Sequence, residues 1–211
     1  MKKHKNTFKS AARKITRLEV SILLAMVIAF SASLFQFGKG CENVRENVLR
    51  LHVIANSDSD SDQRLKLLVR DTVLLKGSSV FDGSVNVENA RQIIVPNTEL
   101  LEKAALDVVR QNGFDYGVTV TVGKEFFETR TYGGITFPAG TYEAVKVVIG
   151  AGKGHNWWCV MFPPMCLPAA TDESVYAYLN KDGVAVVSSS PKYEIRFKAI
   201  EIIEKAKSRF K

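Results

Sequence analysis

The stretch YEAVKVVIGAGKGHNWWCVMF, residues 142–162, decides the fold. Tyr142 to Ile149 is filled with valine and isoleucine and reads as a strong strand. Gly150-Ala151-Gly152-Lys153-Gly154 reads as a hairpin turn, and Asn156 to Phe162 returns as a second strand. Upstream, Tyr116 to Val122 alternates, with Val118, Val120 and Val122 on one face. Gly123-Lys124 then suggests a turn and Phe126 to Thr131 a return strand, broken by Tyr132-Gly133-Gly134. The expectation is an antiparallel β-meander of three or four strands.

Helical periods flank this meander. Val48 to Ala55 is an apolar strand, and Ser57 to Asp62 is a polar loop rich in helix-capping residues. A helix over about Asp62 to Leu75 follows, with Leu65, Leu68, Val69 and Thr72 on one face. Asp60 and Gln63 outline its capping box, and Gly77-Ser78-Ser79 should end it. A second helical region starts near Val87 and must break or kink at Pro96. A third, Thr98 to Gln111, carries Leu101, Ala104, Ala105 and Val108 on one side, with Gly113 placed as its C-cap. At the far end, about Tyr193 to Phe210 is helical, with Ile195, Ala199, Ile202, Ile203 and Ala206 on one face. Helices bunched before and after a meander make the class α+β. Residues 48–211 are expected to form a single domain, joined by a linker, 38–47, to an N-terminal segment, 1–37.

Charge sets that segment apart. Residues 1–17 hold seven Lys/Arg and no acid, and an uncharged run from Val20 to Phe37 follows. Residues 1–37 carry +6 of the net +7, while residues 38–211 hold 22 bases and 21 acids. The basic pI of about 9.3 therefore points to membrane export and not to a nucleic-acid partner. Eighteen helical residues rise about 27 Å, close to a bilayer core of about 30 Å, so residues 15–37 read as a membrane helix. Ser31-Ala32-Ser33 equally reads as the cleavage site of a signal peptide. The domain is extracytoplasmic on either reading. A lipid anchor on Cys41 is disfavoured, because Gly38-Lys39-Gly40 puts a charge where small or apolar residues are needed.

Outside the membrane a disulfide persists. Cys159 and Cys166 flank Pro163-Pro164, whose turn would bring them together. Closing so short a loop stabilises by roughly 2–3 kcal/mol in the chain-entropy model. Cys41 would then be the odd thiol. The alternative is three reduced cysteines.

Enzyme signatures are weak. Asp58, Asp60 and Asp62 open like a calcium loop, but that pattern needs Gly at Gln63 and Glu at Val69. Gly150 to Gly154 lacks the Gly-Lys-Ser/Thr ending of a phosphate loop. The histidines are His4, His52 and His155, with no zinc spacing and no Gly-x-Ser-x-Gly elbow. Neither a metal nor another cofactor is expected, and no catalytic residue is assigned. A thiol dyad of Cys159 with His52 or His155 carries the alternative reading, a cysteine-type hydrolase acting on peptide or cell wall. Trp157-Trp158 should send one ring to each face of its strand.

Three blocks carry a family resemblance. They are LRLHVIANSD (49–58) with DQRLKLLVRD (62–71), YGGITFPAGTYEA (132–144), and VVIGAGKGHNWWCVMFPPMC (147–166). Together they resemble the stage II sporulation protein R family. The resemblance implies a messenger, exported across the forespore membrane into the space between forespore and mother cell. There it would activate a membrane-embedded aspartic protease of the mother cell, which processes the precursor of sigma factor E. The partner is expected to meet Asn56 and Asp58 on one loop, His155 and Asn156 on the other, and a ring of the Trp157/Trp158 pair. The reason is that loops on a rigid sheet carry function, and a Trp rimmed by polar groups makes an anchor.

Overall fold

The computed structural model describes residues 2–81, 87–165, 175–188 and 195–209, with side chains from residue 16 onward except at residue 87. Cys166 lies outside the described residues. The chain is α+β. Helix α1 (Lys2–Glu46) leads into strand β1 (Leu49–Ile54) and helix α2 (Asp60–Val80). Helix α3 (Val87–Ile94) ends in a 3₁₀ turn at Val95–Asn97, where Pro96 removes a backbone donor, and α4 (Thr98–Gln111) follows. Gly113, at φ +79°, closes α4, with its N–H on Arg110 O and the Phe114 N–H on Val109 O. Strands β2 (Val118–Phe127), β3 (Arg130–Tyr132), β4 (Ile135–Phe137), β5 (Gly140–Ile149) and β6 (Asn156–Phe162) come next. Helices α5 (Lys181–Val187) and α6 (Ile195–Arg209) close the described chain.

The sheet is mixed, not a simple meander. Its order is β2-β5-β1-β6. β1 lies parallel to β5, with Val53 opposite Val147, and antiparallel to β6, with His52 opposite Trp158. The expected β5–β6 hairpin therefore does not pair with itself. A strand from far upstream enters between its arms, which now stand about 10 Å apart. Residues 150–155 bridge that gap as a loop over the end of β1. Gly154 N–H donates to Ala55 O and Lys153 N–H to Asn56 O. A central strand is covered on both faces, which accounts for the near-continuous apolar run of β1.

Two further expectations fail for local reasons. No turn occurs at Gly123; β2 continues through it, paired with Ala144 of β5, because an edge strand tolerates a glycine. Gly77 does not end α2, which runs on to Val80. A Cβ there would meet the flexible tip of the Met161 side chain.

Each face of the sheet has its own core. On one, α2, α3 and α4 cover Leu49, Leu51, Val53, Val145, Val147, Cys159 and Met161. On the other, α1, α5, α6 and the β3–β4 hairpin cover Val48, Phe127, Tyr142, Ala144 and Val160. The segment 38–47, expected to be a linker, is helical to Glu46 and belongs to this second core. Phe37, Cys41 and Val44 share one helical face and are buried. Gly40 allows α5 to approach, since a Cβ there would stand 2.6 Å from Asp182 O. The earlier part of α1 is different. Its large apolar side chains from Leu18 to Phe30 are all more than half exposed, and the helix is long and apolar enough to cross a membrane.

α6 is rotated relative to expectation. Phe197 and Ile200 are buried, Phe197 edge-on to Phe37 with ring centroids 4.9 Å apart. The stripe through Ile195 and Ile202 points outward.

The domain thus begins near Leu34, the first α1 side chain packed against the second core. A chain begun at Leu34 should unfold cooperatively in a thermal melt, and Phe37→Ala in it should cost about 3–5 kcal/mol. A chain begun at Val48 should lose that cooperativity; an unchanged melt would mean that α1 is no part of the domain.

Candidate functional site

The C-terminal end of β1 is where polar chemistry gathers. β1 delivers the loop 55–59, and the crossing loop 150–155 lies against it. The first contacts are made by Asn56. Its Oδ1 accepts from Ala151 N–H at 2.9 Å, and its Nδ2 donates to Asp62 Oδ2 at 2.9 Å. Ser57 Oγ donates to the same Asp62 oxygen at 2.6 Å. Ser59, and not Asp60, is the N-cap of α2, accepting the Asp62 N–H at 3.2 Å. Gln63 turns back to Ser57 O at 2.8 Å instead of completing a capping box. Gly154 permits the two loops to touch, because a Cβ there would collide with the Ser57 carbonyl.

Asp58 and His155 meet on the outer side of this junction. Asp58 Oδ1 accepts the His155 N–H at 2.6 Å and lies 2.5 Å from His155 Nδ1. Both side chains are mostly exposed, at 55% and 77%. Beneath them Lys66 is buried, donating to Gln63 Oε1 at 2.6 Å and to His155 O at 2.9 Å. Burial pushes the Lys66 ammonium below its usual pKa. Asp62 is buried as well, which by itself would raise its carboxyl. Hydrogen bonds from Ser57, Asn56 and Tyr116 outweigh that and hold it below the usual carboxylate range.

A second polar group lies on the sheet surface behind Asn156. His52 is 3% exposed. Its Nδ1 donates to Glu125 Oε2 at 2.9 Å, and its Nε2 lies 3.0 Å from Asn156 Oδ1. Lys146 Nζ donates to the other Glu125 oxygen at 3.0 Å. Partial burial raises the Glu125 carboxyl, but the bonds from His52 and Lys146 bring it below its ordinary value. Trp158 stacks flat on His52, with centroids 3.5 Å apart and planes within 16°.

The sequence-expected residues divide accordingly. Asn56, Asp58, His155 and Asn156 come together on one rim. Trp157 and Trp158 go to opposite faces, as strand geometry requires, but each is covered and neither stands out as an anchor. Trp158 lies on His52, and Trp157 packs against the first core with the Arg70 guanidinium 4.3 Å above its ring. Cys159 faces the first core and His52, under Trp158, the second, so the sheet separates Cys159 from His52, one of its two candidate dyad partners. Cys159 is also disulfide-bonded, while Cys41 is a free, buried thiol. Lys66 and Glu125 escaped the sequence reading, and Asp62 entered it only through the incomplete calcium-loop pattern and the helix start. Only Arg50 and His52 were visible in principle, as polar residues two apart in an apolar strand and hence on one face.

A family model described as stage II sporulation protein R matches residues 45–172, more than half of the chain. The chain belongs to the stage II sporulation protein R family. The stage II sporulation protein R of Bacillus subtilis (strain 168) is 35% identical over 140 residues, 66% of this chain. The match spans 62% of the length of that relative. No solved structure matches. The family match includes the whole rim, from Asn56 to Asn156, and stops short of α5 and α6.

The rim's ionisation is testable. Asp62 has its carboxyl below the unfolded value of about 3.9. A depressed carboxylate contributes stability above that value, and the contribution is lost as pH falls through the native pKa. Asp62→Asn should therefore unfold more easily than the parent near pH 7, with the gap closing toward about pH 3. Denaturant titrations at both pH values measure this; a constant gap would contradict the assignment.

Proposed function

We propose that the chain is an exported sporulation signal that activates a membrane-embedded aspartic protease of the mother cell by binding it. That protease then processes the sigma factor E precursor. Membership of the stage II sporulation protein R family supports a role in sporulation. The basic flank and apolar α1 support export from the forespore into the space facing the mother cell.

The rim is the surface we assign to the partner, and one observation carries this. The two loops are tied by mutual hydrogen bonds, yet Asp58, His155 and Asn156 remain exposed on them. A rigid polar rim of that kind recognises by position and charge. The groups behind it are committed to holding it: Asn56 to Ala151 and Asp62, Lys66 to His155, and Asn156 to His52.

Co-expression with the protease and a sigma-precursor substrate in a non-sporulating host tests the proposal. Asp58→Ala and His155→Ala remove exposed groups and should leave accumulation unchanged while lowering precursor processing. Asn156 is a poorer probe, since its loss also strips a partner from buried His52. Two variants that accumulate and signal like the parent would exclude this rim as the binding face.

The exported setting also supports a bridge from Cys159 to Cys166. Non-reducing peptide mapping should recover that pair joined, with Cys41 as a thiol. Cys159 linked to Cys41 would refute it.

A further inference from the structure

β2 is ten residues long and forms an outer edge of the four-stranded sheet. Its ladder to β5 runs without a register shift from Val118 to Phe127, so strand alternation fixes the direction of each backbone group. Gly117 O accepts from Gly150 N–H on the β5 side. The Val120 N–H points the other way and donates to Glu102 Oε2 of α4 at 2.9 Å. Val122, Lys124 and Phe126 share that outward direction. Among the described residues no strand or side chain meets their outward N–H and C=O groups. Folds usually blunt or cover so long an edge, and Glu102 covers one amide of this one.

A recess lies beside the open stretch. Its volume is about 140 Å³, and Thr121, Gly123, Glu125, Ala144 and Lys146 line it. Thr121, Gly123 and Glu125 point to one face of the sheet, the face of Ala144 and Lys146 across the ladder. Gly123 leaves the recess open, because a Cβ there would meet nothing within 4 Å. A cavity of about 150 Å³ holds a benzene ring, so this recess has room for one side chain. A glycine inside a strand marks a place where another backbone comes close.

Outward backbone groups at strand spacing are met by another extended backbone. A second copy of this chain fits poorly. Two-fold antiparallel pairing centred on Gly123 or earlier draws on the Val120 N–H that Glu102 holds. Centred on Lys124 or Glu125, it sets like charges directly opposite each other. Centred further along, it leaves Val122 unpaired.

We propose that the outer edge of β2, from Val122 to Phe126, takes up an extended segment of a partner protein as a further strand. The residue of that segment opposite Gly123 seats its side chain in the recess. Main-chain bonds then give affinity and the recess gives selectivity. The proposal does not rest on the assignment of the loop rim to a partner.

The probe is a phage-displayed library of short random peptides, selected on the full chain in lipid nanodiscs. A selected peptide should protect the Val122, Lys124 and Phe126 amides from hydrogen exchange, which proceeds freely at all three in the chain alone. Lys124→Pro removes an outward donor and no bond to β5. It should weaken the peptide about tenfold by leaving a carbonyl unmet, whereas Lys124→Ala keeps the N–H and should bind like the parent. Gly123→Val fills the recess and should weaken the same peptide. It should melt no lower than the parent, since its Cβ enters open space and valine suits a strand. Should Lys124→Pro fail to fold, Gly123→Val decides. A library without any peptide that both protects the three amides and is weakened by Gly123→Val would overturn the proposal. So would protection of those amides in the chain alone. Protection that grows with protein concentration would make the cover a second copy, and protection independent of it a segment of the same chain.

Discussion

A lone guanidinium at the centre of the second core constrains much of what surrounds it. Arg50 projects from the middle strand and is fully buried. No carboxylate among the described residues meets it. Its carbon lies 4.5 Å from the Phe127 ring centroid, 5.2 Å from Tyr142, 5.4 Å from Phe137 and 5.5 Å from Tyr132. Burying such a charge costs several kcal/mol, and each desolvated ring face returns about 2 kcal/mol. The cage must therefore be nearly complete. That requirement brings the β3–β4 hairpin, which carries Tyr132 and Phe137, down over the sheet. Nη2 of Arg50 donates to Tyr132 Oη at 3.0 Å, and that hydroxyl donates to Trp158 O at 2.9 Å. Among the described residues Nε and Nη1 have no hydrogen-bond acceptor, and the ring faces compensate them. Burial consequently lowers the pKa of Arg50 and raises those of Tyr132 and Tyr142.

The cage and the rim are two stretches of one strand face. Moving two residues along β1 from Arg50 reaches His52, and the Trp158 that stacks on His52 also meets Phe127 edge-on, with centroids 4.9 Å apart. One residue before Trp158 on the chain's other face is Trp157, and before that Asn156, whose side chain holds His52. The candidate site is thus continuous with the aromatic cage. Its position follows from β1 being inserted between β5 and β6: only a strand in the middle of the sheet has its end crossed by the connecting loop, and that crossing is what seats His155 beside Asp58.

Elements held by local physics were legible from sequence. Alternation found the start of β2, a run of valine and isoleucine found β5, and β6 lies at Asn156–Phe162 as expected. Helix period together with Gly113 found α4 at Thr98–Gln111. The polar loop and the His155–Asn156 turn were singled out by composition. What depends on long-range pairing was not legible. Nothing local in Val48–Ala55 says that it enters the Gly150–Gly154 hairpin, because a parallel partner is chosen across some ninety residues. The face that α6 buries was misread for a related reason. Ile195, Ile202 and Ile203 outnumber Phe197 and Ile200, so a count of apolar residues selects the wrong side. The aromatic partner at Phe37 selects the other. Phe37, Cys41 and Val44 were hidden because an uncharged run toward a membrane and a buried helical face look alike when they share one helix.

The rim's energetics bear on how it would be recognised. Ordering a loop residue costs about 1–2 kcal/mol of backbone entropy, and a partner that had to order both loops would lose most of its affinity to that cost. Here the ordering is achieved in the free chain. Asn56 is bonded to the opposite loop through its Oδ1 and to the start of α2 through its Nδ2, and Lys66 reaches up to the His155 carbonyl from below. The buried Lys66 and Asp62 direct their charge to the loops. Asp58 and His155 differ, since an exposed pair of this kind contributes little to stability. Exchanging their mutual contact for one with a partner therefore forfeits little. A rim that is rigid in its backbone and weakly committed in its outermost side chains is suited to binding.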